Sequence, residues 1–483
     1  MRHAKSFTSG LKTTPYNAQL KSEAYISYGN PTDTPVRELE VPPSTRFQHI
    51  YIGGASQHGK STLMEHMITQ DMENGEGLTL LDPKGDLAEL VVNRVPAHRI
   101  SDCIYIDIKD PVPINFMGWE TEHERQTLVA DVTQTFMKFS AMPPGDQWGS
   151  ILQWTIYTLL ASKSASFLDI YYFLARPETR QKEILQAVAV NNFDGQYDDI
   201  FHYWAKDFPK LGKPREGPIL TRMSTLITTP SLRKMLGHAE KPVDIFECME
   251  TRKILIVNLM GAGRPNGSLI GTLLTSKIQQ AAFRRQPQPK ALRIPHFFYA
   301  DEFQNFQTSD FDVILEEAGG FRLSLTLANQ GLYQLRGDNV KEAVLTNVTA
   351  ARIAFRLSHR DVSEWKHLMT DDPDDPNYVD PYELARLPRH KAFFKIGTEV
   401  GLIRPTPLPL PHPSPDQIRN AKTIKYETLK TYPAKKLPSA ESSQKRKNVP
   451  PSCNSDQMPH DEGNGINYDQ IKPKVEPPKD EHR

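Results

Sequence analysis

The chain has 483 residues, 38% of them hydrophobic and 24% charged, a length that calls for two or three structural units and a composition expected of a soluble globular protein. Lys+Arg and Asp+Glu are equal at 58 each, so no global basic field announces nucleic acid, although a ring can confine its positive charge to a narrow pore. No run approaches the roughly 18 to 20 apolar residues of a membrane span. The start "MRHAKSFTSGLKTTP" lacks the apolar core of a signal peptide. The cysteines Cys103, Cys248 and Cys453 have neither disulfide-framework nor zinc spacing, so the expected location is the cytoplasm.

Residues 1–45 are polar and proline-interrupted, an N-terminal extension in which "PVRELEV" alternates as an edge strand would. From residue 46 the pattern becomes strand, glycine loop and helix: "HIYI", then "GGASQHGKST", then "STLMEHMITQDM", where Leu63, Met64, Met67 and Ile68 recur at helical spacing. "LTLLD" and "CIYID" are further short strands. Their alternation with helices predicts a mostly parallel α/β sheet, with residues 46–119 as its first segment. Residues 120–244 read as an all-α insertion, through "ERQTLVADVTQTFMKF", "SILQWTIYTLLA", "ETRQKEILQAVAV" and "YDDIFHYWAKDF". The sheet pattern resumes over 245–404 with "KILIVNLM", "HFFYADEF", "LSLTLANQ" and "ARIAFRL". Residues 405–483 form a proline-rich charged tail expected to be disordered.

The loop Gly54-Ala55-Ser56-Gln57-His58-Gly59-Lys60-Ser61, followed by Thr62, satisfies G-x-x-x-x-G-K-[ST] between a strand and a helix. Glycines let backbone N–H groups converge on phosphate oxygens, and the following helix presents its positive end. In that reading Lys60 bridges the β- and γ-phosphates of ATP and Ser61 holds Mg²⁺. "PHFFYADEF" supplies the distant acidic partner: Asp301 for the Mg²⁺ shell and Glu302 as the base that polarises water. The bland alternatives are a glycine-rich turn and a surface acidic pair. Gln330, ending "LSLTLANQ", is either a reporter of the γ-phosphate or a loop-capping glutamine.

The stretch "HIYIGGASQHGKSTLMEHMITQDMENGEGLTLLDPKGDLAE" resembles the P-loop region of the type IV secretion coupling-protein ATPases, the TraD/TraG-type conjugative DNA transfer family. So do "IDIKDPVPINF", "PILTRMSTLITTPSLRKMLG", "KILIVNLMGAG", "FFYADEFQNF" and "SLTLANQGLYQL", and HerA-type translocases are more distant relatives. The resemblance runs from about 46 to 404. It implies a RecA-like P-loop NTPase, a homo-hexameric ring that moves DNA through a central pore by ATP hydrolysis, with relaxosome and secretion-channel proteins as partners.

Two departures bear on that implication. Coupling proteins commonly carry N-terminal transmembrane helices, and this sequence shows none, so the expectation is either a soluble cousin or a chain that docks peripherally on a separate membrane partner. Relatives usually show Ala-Arg-Lys where Ala318-Gly319-Gly320 stands, and that arginine is a candidate for reaching the neighbouring subunit's nucleotide. Arg322 is the nearest substitute, with Arg222, Arg352 and Arg356 as other donors or as members of structural ion pairs. Lys84 in "DPKGD" faces the nucleotide or the pore, or simply belongs to a tight turn. "GAGRPNG" misses the dinucleotide spacing, Trp148, Trp154 and Trp204 suit core packing better than base stacking, and "KRK" at 445–447 is a solvated charge run by default. An ATP-driven DNA translocase is the leading expectation. A nucleotide-binding adaptor with weak or no turnover and a motor for protein substrates are the others.

Overall fold

A computed structural model describes residues 24–28, 37–42, 44–140, 147–211, 216–307, 311–335, 337–369, 380–397, 399–403 and 410–434. Two compact units divide the chain: one takes 1–116, 134–141 and 243–432, the other 117–133, 142–242 and the end from 433. "KRK" and Cys453 lie outside the described residues.

In the first unit, β1 (Ala24–Tyr28) and β2 (Arg37–Val41) pair antiparallel as a separate two-stranded sheet. The strand expected from "PVRELEV" thus forms and pairs with the segment upstream of it, Ala24 opposite Val41 and Tyr28 opposite Arg37.

The main sheet has nine strands. They are β3 (Ile50–Gly53), β4 (Gly77–Asp82), β5 (Cys103–Asp107), β6 (Ile254–Asn258), β7 (His296–Asp301), β8 (Leu323–Asn329), β9 (Ala351–Ala354), β10 (Ala392–Ile396) and β11 (Glu399–Ile403). Their order is β11-β10-β9-β3-β8-β7-β4-β6-β5. Every neighbouring pair from β9 to β5 is parallel, and β10 and β11 add an antiparallel hairpin beyond β9. The parallel strands are short, unbroken apolar runs because helices cover both faces. On one face α1 (Lys60–Glu73) buries Leu63, Met64, Met67, Ile68 and Met72 in the same core as Ile50, Ile52, Leu78 and Leu80, and α2 (Asp86–Val92) adds Leu87 and Val91.

Parallel pairing in register brings the C-terminal strand ends to one edge: Gly53 lies beside Asn329, Asp301 beside Ala328, and Asp82 and Asp107 beside Asn258. Apolar strands that each end in Asp or Asn thus build a polar rim on a dry sheet. A buried clamp aligns two of its parts. Arg46 donates to both oxygens of Asp71 on α1, at 2.6 and 2.9 Å, and to the Tyr299 hydroxyl on β7 at 3.1 Å, with its guanidinium 4.0 Å from the Phe297 ring centroid. The helix that opens with Lys60 is thereby tied to the strand that ends in Asp301.

The expectation of disorder from residue 405 is corrected over Pro415–Thr431, which is a helix with a Ser414/Gln417 capping box and proline in its first turn. It buries Ala421, Ile424 and Thr428; Thr428 Oγ1 accepts the Tyr105 N–H of edge strand β5 at 3.1 Å, and Lys425 pairs with Glu89. A sheet edge left bare is a site for unwanted pairing, and this helix covers it.

The second unit contains helices and no strand among its described residues, including Gln147–Ala161, Asp169–Ala175, Lys182–Asn191 and Gly217–Thr228. Trp148 and Trp204 are buried, Trp204 Nε1 donates to Thr158 Oγ1 at 2.8 Å, and Trp154 stacks on Tyr203 with centroids 4.5 Å apart. These aromatics are core, which leaves no base-stacking face on Trp148 or Trp204. Among the described residues no helix is long and apolar enough to cross a membrane. Cys103 and Cys248 are buried free thiols, and burial pushes Cys248 up to about 12, far from a reactive thiolate.

Candidate nucleotide site at the polar rim

The loop after β3 is shaped by close approach. Gly54 has φ +148°, and a Cβ there would stand 2.5 Å from Phe355 Cβ; Gly59 caps α1 at φ +114°. Its backbone is anchored on both sides, Gly54 N–H donating to Asn329 O at 3.2 Å and Ala55 N–H to Arg356 O at 2.7 Å. Gln57 is left-handed at φ +60°, and His58 Nδ1 lies 2.8 Å from Ser56 O. Lys60 is buried and donates from Nζ to Gly54 O at 2.5 Å and Ala55 O at 3.2 Å. Burial lowers its pKa, against the pull of Asp301 and Glu302. Ser61 is exposed in the first turn of α1 and Thr62 half-buried beside it.

Two strands away, β7 ends in Asp301 and Glu302 follows it, both buried. Burial first, then Asp82 and Glu302, push the Asp301 carboxyl up to about 6. Glu302 sits in the left-handed region at φ +50°, a conformation that costs a non-glycine residue energy and recurs at functional sites. Its Oε1 accepts from Lys84 Nζ at 2.5 Å and Gln330 Nε2 at 3.1 Å, and its Oε2 from Gln304 Nε2 at 2.8 Å. Burial alone would raise this carboxyl, but the bonds from Lys84, Gln304 and Gln330 outweigh it and hold the group below the usual carboxylate range.

The structure thus brings Lys60, Asp301, Glu302 and Gln330 to one edge, because β8 lies between β3 and β7. Lys84, open to several readings in the sequence, is bonded to Glu302. Asp82 and Gln304 were not singled out there; the signal for Asp82 was its place at the end of an apolar strand, matching that of Asp301. Arg322 is not at this edge. It precedes the seven-residue β8, roughly 20 Å of strand from Asn329, with its guanidinium 5.1 Å from the Phe47 ring centroid. Arg352 Nη2 donates to Leu345 O, while Arg356 borders the loop through its own carbonyl and donates from Nε to Ala385 O. Arg222 is exposed on the helix Gly217–Thr228 of the second unit.

Gly319 explains why no arginine stands there. A Cβ on it would meet the Phe47 carbonyl oxygen at 2.2 Å, whereas Gly320 has nothing within 4 Å. Gly319→Ala is expected to cost about 1–3 kcal/mol through forced overpacking, and Gly320→Ala less than about 0.5 kcal/mol. Chemical denaturation compares the two; equal midpoints would refute the close approach.

A parallel sheet with a glycine loop and lysine after one strand, an Asp-Glu pair two strands away and a polar strand end between them defines the RecA-like P-loop fold. The solved structures agree on that fold. The unbound monoclinic form of the bacterial conjugative coupling protein TrwBdeltaN70 matches with TM-score 0.51 at 13% identity, over 76% of this chain and 88% of that one. The plasmid coupling protein TrwB in complex with ADP and Mg²⁺ matches with TM-score 0.52 at 14% identity, over 78% and 88%. VirB4 of Thermoanaerobacter pseudethanolicus matches with TM-score 0.51 at 12% identity, over 82% and 98%. No family model matches the sequence, and no curated protein does.

Proposed function

We propose that this chain is a type IV secretion ATPase of the coupling-protein kind, hydrolysing ATP to move DNA as a hexameric ring. The observation that carries the reading is the convergence of Lys60, Asp301, Glu302 and Gln330 on one rim of a RecA-like sheet. The backbone of residues 54–59 and the start of α1 receive the phosphates. Lys60, released from the Gly54 and Ala55 carbonyls, pairs with the β- and γ-phosphates, and Glu302 orients and deprotonates the attacking water. Gln330, bonded to Glu302, lies where loss of the γ-phosphate is felt by β8.

The donor set fits Mg²⁺: an exposed serine hydroxyl on α1 and the buried Asp301, whose ionisation is opposed by Asp82 and Glu302 and favoured by a neighbouring cation. When bound, Mg²⁺ neutralises phosphate charge. That TrwB is seen in complex with ADP and Mg²⁺ supports Mg²⁺-nucleotide binding here. An arginine from a neighbouring copy would complete the site, and Arg322 is the candidate because Gly319 is closed against Phe47. That closure also favours the second reading, an adaptor that binds nucleotide with little turnover.

ATP hydrolysis by the purified protein, with and without single- and double-stranded DNA across a salt series, tests the reading. Stimulation by DNA that fades as salt rises is the expected result, since phosphate contacts release counterions. Nucleotide binding without turnover under every condition would replace the motor by the adaptor.

A further inference from the structure

Resting on the ATPase reading, we propose that Lys84 is a positioning residue: it holds Glu302 in a resting state and releases it when a nucleic-acid phosphate draws the ammonium away. The turn that carries it is rigid. Lys84 N–H donates to Asp82 Oδ1 at 2.9 Å, and Gly85 at φ +84° brings its backbone so near β6 that a Cβ would lie 2.6 Å from Asn258 Oδ1. The side chain is not so confined: it is 50% exposed, whereas Glu302 is 4% exposed.

Among the described residues, the groups facing Glu302 are Lys84 from the turn after β4, Asp301 from β7, Gln304 from the following turn, Gln330 from just after β8 and Lys60 from the glycine loop, while Asp82 faces Asp301 and Lys84. Of the two cations, Lys60 is buried and Lys84 alone is open to solvent. A carboxylate oxygen engaged by an ammonium in a short charge-assisted bond has one acceptor position fewer for a water. Moving Lys84 onto another anion opens an acceptor position on Oε1 to water, while Gln304 and Gln330 still hold the carboxylate in place.

Position favours a polyanion beyond the nucleotide. Lys84 follows β4, three strands from β3, roughly 14 Å at ordinary strand spacing. Beyond it on the same rim, exposed Arg264 follows β6 and exposed Lys109 follows β5, a row of cations suited to successive phosphates.

Steady-state ATP hydrolysis and ATP affinity of the full chain, as wild type, Lys84→Met and Lys84→Arg, with and without double-stranded DNA, provide the test. Lys84→Met is expected to raise the DNA-free rate several-fold and abolish most stimulation by DNA, since the bond that occupies Glu302 Oε1 is gone. Lys84→Arg should keep the low DNA-free rate and the stimulation, and ATP affinity should be the same in all three. A Lys84→Met rate equal to or below wild type, or undiminished stimulation of that variant by DNA, overturns the latch while leaving the ATPase reading intact. Wild-type protein that binds ATP and never hydrolyses it overturns both.

Discussion

Glu302→Gln is expected to slow ATP hydrolysis by about 10²–10⁴-fold, the range for loss of a general base, while ATP binding persists. Glutamine keeps the length and the acceptor oxygen, so Gln330 and Lys84 retain a partner near their present positions. It also removes one of the negative charges that push Asp301 up to about 6. Asp301 then ionises more readily, and Mg²⁺-nucleotide binding is held or improved. Equilibrium binding of a fluorescent ATP analogue beside single-turnover hydrolysis separates the two effects. Undiminished turnover would remove Glu302 from the site.

Lys60→Ala should abolish hydrolysis for a different reason, by roughly 10²–10³-fold or more, the scale on which a single electrostatic stabiliser is lost. Here binding falls too, because the ammonium engages ground-state phosphates as well as developing charge. The folded state should tolerate the change: Lys60 Nζ serves two loop carbonyls, and the buried pairing of α1 to β7 runs through Arg46, Asp71 and Tyr299 instead. The expected signature is an unchanged melting midpoint with lost binding and lost turnover. Hydrolysis at the wild-type rate would return "GGASQHGKST" to a plain glycine-rich turn.

The glycine loop was legible in the sequence because its requirements are local. A strand, Gly54, Gly59, Lys60 and a helix sit within a few residues, and the φ values of +148° and +114° at the two glycines are what those residues permit most cheaply. The ends "LTLLD", "CIYID", "ILIVN", "FFYAD" and "LTLAN" were equally open to inspection, each an apolar run closing on Asp or Asn. Helix 415–431 was missed because its buried face is sparse: Ala421, Ile424 and Thr428 lie among charged neighbours, and their burial comes from β5 rather than from any strong apolar period. The hairpin of β10 and β11 was not resolved as separate strands for a related reason. Its partner, β9, lies 39 residues earlier at the closest register pair, Ala354 with Phe393, too far along the chain for local spacing to reveal the pairing.

Residue types and short-range spacing settled the kind of chemistry available, phosphate-binding backbone, a lysine and an acidic pair, since such features depend on neighbours along the chain. Which groups touch depended on strand order. Lys84 and Glu302 are separated by 218 positions and meet because β4 lies beside β7; Gln330 reaches the same carboxylate because β8 is inserted between β7 and β3. The closure of Gly319 on Phe47 and the seating of Arg322 at the opposite end of β8 have the same origin. Strand order is chosen by the burial of whole helix and sheet faces, a sum over the entire core that no single stretch of sequence contains.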